Sequence, residues 1–172
     1  MIETPNTTEA EELFDDDVPL AGAEIRVAYE AALGRYILLF NQMDNLLGKV
    51  LRTVLKRIGR EDLISDFVDK ADFSQRVRAL DLLKCSAEGA SIAAISPDNL
   101  RCISGERNIL AHAHFEQNPF SGEYWLVNKK EGAHQNYTSA RIEASADRIM
   151  EVCNALRSME ARFIFINTPI VI

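Results

Sequence analysis

Between Glu24 and Ile58, large apolar side chains return every three or four residues: Ile25, Tyr29, Leu33, Tyr36, Phe40, Met43, Leu47, Val50, Leu51, Val54 and Ile58. That spacing is the period of one helix face. A helix of roughly 35 residues would span about 50 Å, more than one small domain needs. The rest of the chain must therefore pack along it, and the spacing predicts an all-α domain built as an antiparallel bundle.

Gly59 stops the first helix. Asp62 to Val68 is a candidate short helix, and Asp72 is placed to cap a second main helix carrying Phe73, Val77, Leu80 and Leu83. Ser96 and Pro97 open a third, with serine as cap and proline at the first helical position, and Leu100, Ile103 and Leu110 continue its apolar face. From His114 to Lys129 aromatic and β-preferring residues flank Asn118-Pro119-Phe120-Ser121-Gly122, which predicts a short β-hairpin. The helical period resumes at about Ile142 and runs through Ala146, Ile149, Cys153, Leu156, Met159, Phe163 and Ile166, until Pro169 ends it. Four main helices result, with a hairpin inserted before the last.

Charge divides the chain. Residues 1–24 hold eight of the 26 acidic side chains and no Lys or Arg, so beyond them 18 acidic and 19 basic residues almost cancel. Glu9 to Asp17 carries too little apolar surface to offset its ordering entropy, and residues 1–23 read as a solvated acidic tail. The competing reading is that this tail mimics nucleic acid and covers a basic groove. Residues 24–166 form the domain, and 167–172 form an apolar C-terminal tail that packs on the domain or on a partner. An acidic start is unlike a secretory signal and no apolar run reaches membrane-spanning length, so a cytoplasmic protein without membrane contact is expected. Cys85, Cys102 and Cys153 are odd in number and far apart, which predicts reduced core residues rather than disulfides or a zinc site.

A helical wheel over residues 98–113 gathers Cys102, Ile103, Ile109, Leu110 and Ala113 on one arc and Arg101, Ser104, Asn108 and His112 on the other. Asn108 and His112, four apart, share a face, and the amide could orient the imidazole or meet the same ligand. Arg107 lies on the shoulder of the apolar arc, where a guanidinium is costly without a partner or an anion. Asp44 sits equally out of place between Phe40, Met43 and Leu47. A buried Asp44 to Arg107 bridge pinning two helices and a catalytic role account for this pair of charges equally well, and because an unpaired buried carboxylate is costly, Asp44 is expected to lie near Arg107 or Arg76.

Glu106-Arg107-Asn108-Ile109-Leu110-Ala111-His112 resembles the Arg, polar residue, three variable residues, His motif of HEPN domains. Tyr36 to Asp44 is similar to the long helix that carries an acidic residue in many members, and Phe73 to Leu80 resembles the helix that follows. The resemblance covers about residues 24–166 in the same order, with the Arg and His at the end of a late helix before a hairpin. It departs from the family at Asp44, where Glu is more usual and reaches one methylene further, and at His114, which adds a His-x-His. No third ligand stands at suitable spacing, so neither a metal nor another cofactor is expected. The resemblance implies a homodimer that brings two motifs into one cleft and cleaves RNA without metal. His112 would exchange protons, Arg107 would clamp the phosphate and Asn108 would orient either group, with Asp44, Glu106, Arg101 and His114 in support. The alternative is a catalytically inactive HEPN-like module that binds RNA, another protein or an antitoxin in a toxin-antitoxin or defence system.

Overall fold

The protein is described by a computed structural model covering residues 23–86, 92–112, 115–118, 123–127 and 134–166. Helix α1, Ala23–Arg57, is the single 35-residue rod that the apolar period predicts. Its end follows from Gly59, whose φ of +69° is open to glycine at no steric cost. The Gly59 N–H donates to the Lys56 carbonyl at 3.1 Å and the Arg60 N–H to the Leu55 carbonyl at 2.8 Å, the paired bonds of a Schellman stop.

The chain then makes a 3-10 turn at Glu61–Leu63 and a π turn at Ser65–Asp69 where a short helix was expected. Helix α2, Phe73–Leu83, starts with a complete capping box: the Gln75 N–H donates to Asp72 at 2.8 Å, and the Gln75 side chain accepts from the Asp72 N–H at 2.9 Å. Helix α3, Pro97–His112, has Ser96 accepting from the Asn99 N–H at 3.3 Å and Pro97 in the first turn. Helix α4, Ser139–Ile166, is capped by Thr138, which accepts from the Arg141 N–H at 3.2 Å.

Between α3 and α4 the expected hairpin gains a third strand. Strands β1 (Phe115–Gln117), β2 (Tyr124–Val127) and β3 (His134–Asn136) form an antiparallel sheet in that order, with Phe115 opposite Leu126 and Trp125 opposite Asn136. The sheet closes the end of the bundle where α1 begins: Tyr29 stacks on Tyr124 with ring centroids 4.2 Å apart and meets Phe115 edge-on at 6.3 Å.

The all-α class with its β insertion is as expected, but the helix directions are mixed. Arg35 of α1 pairs with Glu143 and Asp147, Lys49 approaches Glu160 and Arg57 lies over the Phe163 ring, so α1 and α4 run side by side in the same direction. Helix α3 opposes both neighbours: Glu106 meets Ser145 and Arg148 on α4, while Arg101 reaches Asp81 near the end of α2. The sheet forms the turn of an α3–α4 hairpin at the end where α1 starts, and this forces α4 parallel to α1.

One core unites the helices, with Tyr36, Met43, Leu47, Leu51 and Val54 of α1 and Ile142, Ala146, Ile149, Cys153 and Leu156 of α4 all buried. Only Cys153 of the three cysteines is in it; Cys85 and Cys102 are exposed, because α3 presents Cys102 to solvent rather than to the core. Ile109, placed on the apolar arc by the wheel, is likewise 38% exposed. Residues 1–22 and 167–172, read as tails, lie outside the described residues. Among the described residues no helix is long and apolar enough to cross a membrane.

Candidate active site

Helix α3 is fastened along one side and open along the other. Leu100, Ile103 and Leu110 are buried, and the Ile103 carbonyl accepts a 3.0 Å bond from the Tyr36 hydroxyl of α1. Burial pushes that phenol's pKa well above its ordinary value, so the bond persists at any neutral pH. Such anchoring fixes the rotation of α3 and turns Asn108 and His112 outward together; both are exposed. Asn108 and His112 leave the helix roughly 40° apart, whereas Arg107 and His112, five positions apart, diverge by about 140°.

Arg107 is only partly buried. Its guanidinium lies 5.7 Å from the centre of the Phe40 ring and donates to the Asn108 side-chain oxygen at 3.2 Å. Among the described residues no carboxylate pairs with it, and none hydrogen-bonds His112. The neighbouring cations differ. Arg76, Arg101 and Arg148 each hold a carboxylate, so of these four arginines Arg107 is the one whose charge is left for an incoming anion.

The other residues singled out in sequence occupy structural positions. Asp44 does not reach Arg107 but accepts from Arg76 at 2.6 Å, and Arg76 also donates to the Val68 carbonyl at 2.8 and 3.2 Å. The bridge therefore ties α1, the π turn and α2 together, and of the two misplaced charges on α1 and α3 only that of Asp44 has an ionic partner. Glu106 faces away from Arg107, accepting from Ser145 at 2.7 Å and from Arg148 at 2.8 Å, and so fixes α3 to α4. Arg101 bonds Asp81 at 2.8 Å and Asp98 at 2.6 Å; the two hydrogen bonds raise its pKa, Asp81 contributing most. His114 lies outside the described residues, and among those that are described no three His, Cys, Asp or Glu side chains gather closely enough to hold a metal ion.

Phe40 escaped the sequence reading as a site residue. In a stripe of core positions it looks like any other apolar contact, and only the approach of Arg107 over its ring distinguishes it. Phe73, whose ring sits 4.9 Å from Phe40, was similarly read as core.

No family model, no curated protein and no solved structure matches the chain.

Proposed function

We propose that the chain is a metal-independent endoribonuclease of the HEPN type that acts as a homodimer. The observation that carries this reading is the Arg107 guanidinium, held by Phe40 and Asn108 without a carboxylate, on the helix that exposes His112. A cation free to meet a phosphate and an imidazole able to move a proton are the two groups that RNA transesterification needs.

In the reaction, one imidazole removes the proton from a ribose 2′-hydroxyl. The 2′-oxygen attacks the adjacent phosphorus, the P–O5′ bond breaks, and a second proton donor protonates the leaving 5′-oxygen. Products are a 2′,3′-cyclic phosphate and a 5′-hydroxyl, and no outside nucleophile is consumed. One chain supplies one His112, diverging from its own Arg107, so the chemistry favours a site shared by two copies. A separate surface for association is an exposed row on α1, on the side turned away from Tyr36 and Phe40 and hence from α3. Val27, Ala31, Gly34, Leu38, Asn41 and Asn45 recur at alternating spacings of four and three, the interval of a coiled-coil seam, and all six are exposed, Leu38 by 71%.

A non-catalytic RNA- or protein-binding module is the second reading. The near balance of 18 acidic and 19 basic residues beyond position 24 favours its protein-binding form, because surfaces that bind nucleic acid broadly are usually more basic. The test is cleavage of labelled single-stranded RNA by wild type, His112→Ala and Arg107→Ala. Turnover should fall by on the order of a hundredfold in each, with RNA retained by His112→Ala. Cleavage undiminished in His112→Ala would sink the ribonuclease reading, and binding without any cleavage by wild type would establish the module.

A further inference from the structure

A groove of about 270 Å³ opens between α2 and α3, lined by Phe73, Ser74, Arg101, Ser104, Gly105 and Asn108. Asn108 belongs both to this groove and to the candidate active site, and the groove's aromatic wall, Phe73, packs on the Phe40 ring that carries Arg107. Resting on the ribonuclease reading, we propose that this groove is a subsite for one unpaired nucleobase of the RNA, next to the phosphate held by Arg107.

Three observations select a base over a phosphate or a whole nucleotide. The first is charge: the groove's one cation, Arg101, is already bonded to Asp81 and Asp98, so an anion gains little there while a neutral ring is tolerated. The second is chemistry. Phe73 offers an aromatic surface for stacking, Ser74 and Ser104 can each donate or accept, and Asn108, with its oxygen engaged by Arg107, presents its amide hydrogens to a base acceptor. The third is size. The volume falls just below the roughly 300–1,000 Å³ of ordinary small-molecule sites.

Gly105 gives the groove its depth. A Cβ built there meets nothing within 4 Å, so no packing inside the chain requires glycine, although glycine weakens a helix interior. A larger side chain at 105 would project into open space and fill the groove without displacing the fold.

The experiment measures binding of the four ribonucleoside 3′-monophosphates and of inorganic phosphate, by titration of wild type, Gly105→Phe and Phe73→Leu. Wild type should prefer some bases over others and bind its best nucleotide at least tenfold more tightly than phosphate. Gly105→Phe and Phe73→Leu should each lose about tenfold or more of that affinity, the scale of one base–aromatic stack; in Gly105→Phe phosphate binding should be unchanged and the melting temperature unaltered or higher. Equal affinity for all four nucleotides and for phosphate, or full retention of base preference in Gly105→Phe, overturns the subsite. The readout needs no turnover. Base-selective binding lost in Gly105→Phe, with no RNA cut by wild type, would uphold the groove and defeat the ribonuclease reading alone.

Discussion

Two tyrosines on the buried face of α1 differ by one hydrogen bond. Tyr36 donates to the Ile103 carbonyl inside the core, whereas the Tyr29 hydroxyl is buried without a partner among the described residues. Tyr36→Phe should therefore cost about 1 kcal/mol, the net worth of one such bond, while Tyr29→Phe should be neutral or slightly stabilising because it removes an unsatisfied polar atom. Thermal melts side by side check this, and an equal loss in both would mean that Tyr29 is satisfied. Burial also pushes the Tyr29 phenol from its ordinary 10 up to about 12. The neutral form is the one the fold favours, so its stability is fully present below pH 10 and is lost as pH climbs towards 12. Tyr29→Phe should blunt that alkaline loss. Asp44 makes a third case, since Asp44→Asn would leave Arg76, whose side chain is only 17% exposed, without its charge partner. A loss of about 1–3 kcal/mol is expected in denaturant melts, and wild-type stability would show the bridge to be solvated. At this scale the sequence marked Asp44 and Arg107 as charges out of place, because burial and charge conflict visibly in a helical period. It named Arg107 or Arg76 as the partner of Asp44, and the structure selects Arg76; Phe40 under Arg107 it did not foresee, since contacts between helices depend on helix rotation and relative height, which periodicity does not encode.

At the scale of elements, caps and stops were the most legible features. Gly59, Asp72 with Gln75, and Ser96 with Pro97 act within a few residues of themselves, and all sit where local chemistry puts them. Helix direction was less legible. The third strand, whose residues His134–Asn136 carry no strong β signal, arises by pairing with β2, and this same segment sets α4 parallel to α1. The exposed row on α1 also went unremarked, because Val27 and Leu38 fall off the three-and-four period of the core face and group with the polar positions. Their exposure of 63% and 71% makes them the natural place to test association. Leu38→Glu should put a charge in the middle of the seam and convert dimer to monomer at micromolar concentration in light scattering. Its melting temperature at low concentration should stay unchanged, because nothing in the monomer rests on Leu38. A wild-type monomer at that concentration, or a dimer untouched by Leu38→Glu, would remove α1 as the interface.

For the whole molecule, association and chemistry are a single hypothesis. Eight of the 26 acidic side chains and no Lys or Arg fall in the first 24 residues, which leaves the remainder almost neutral, so under the proposed function RNA would be drawn by a local cation rather than by a broad field. A single local site makes turnover sensitive to geometry, and geometry depends on the second copy. Specific activity per chain should thus rise with protein concentration in step with the dimer fraction. The cut ends report the mechanism. A nucleophile drawn from the RNA itself is already beside the phosphate, so His112 needs only to move a proton while Arg107 balances the added negative charge. Cleavage should then survive EDTA, leave 2′,3′-cyclic phosphate and 5′-hydroxyl ends, and spare DNA or RNA with a 2′-deoxy sugar at the cleaved position. Mapping the ends of a labelled RNA after incubation with excess EDTA reads all three at once. Ends bearing 5′-phosphate, or cleavage restored only by added magnesium, would show that the nucleophile is water activated elsewhere and that Arg107 and His112 do not carry the reaction.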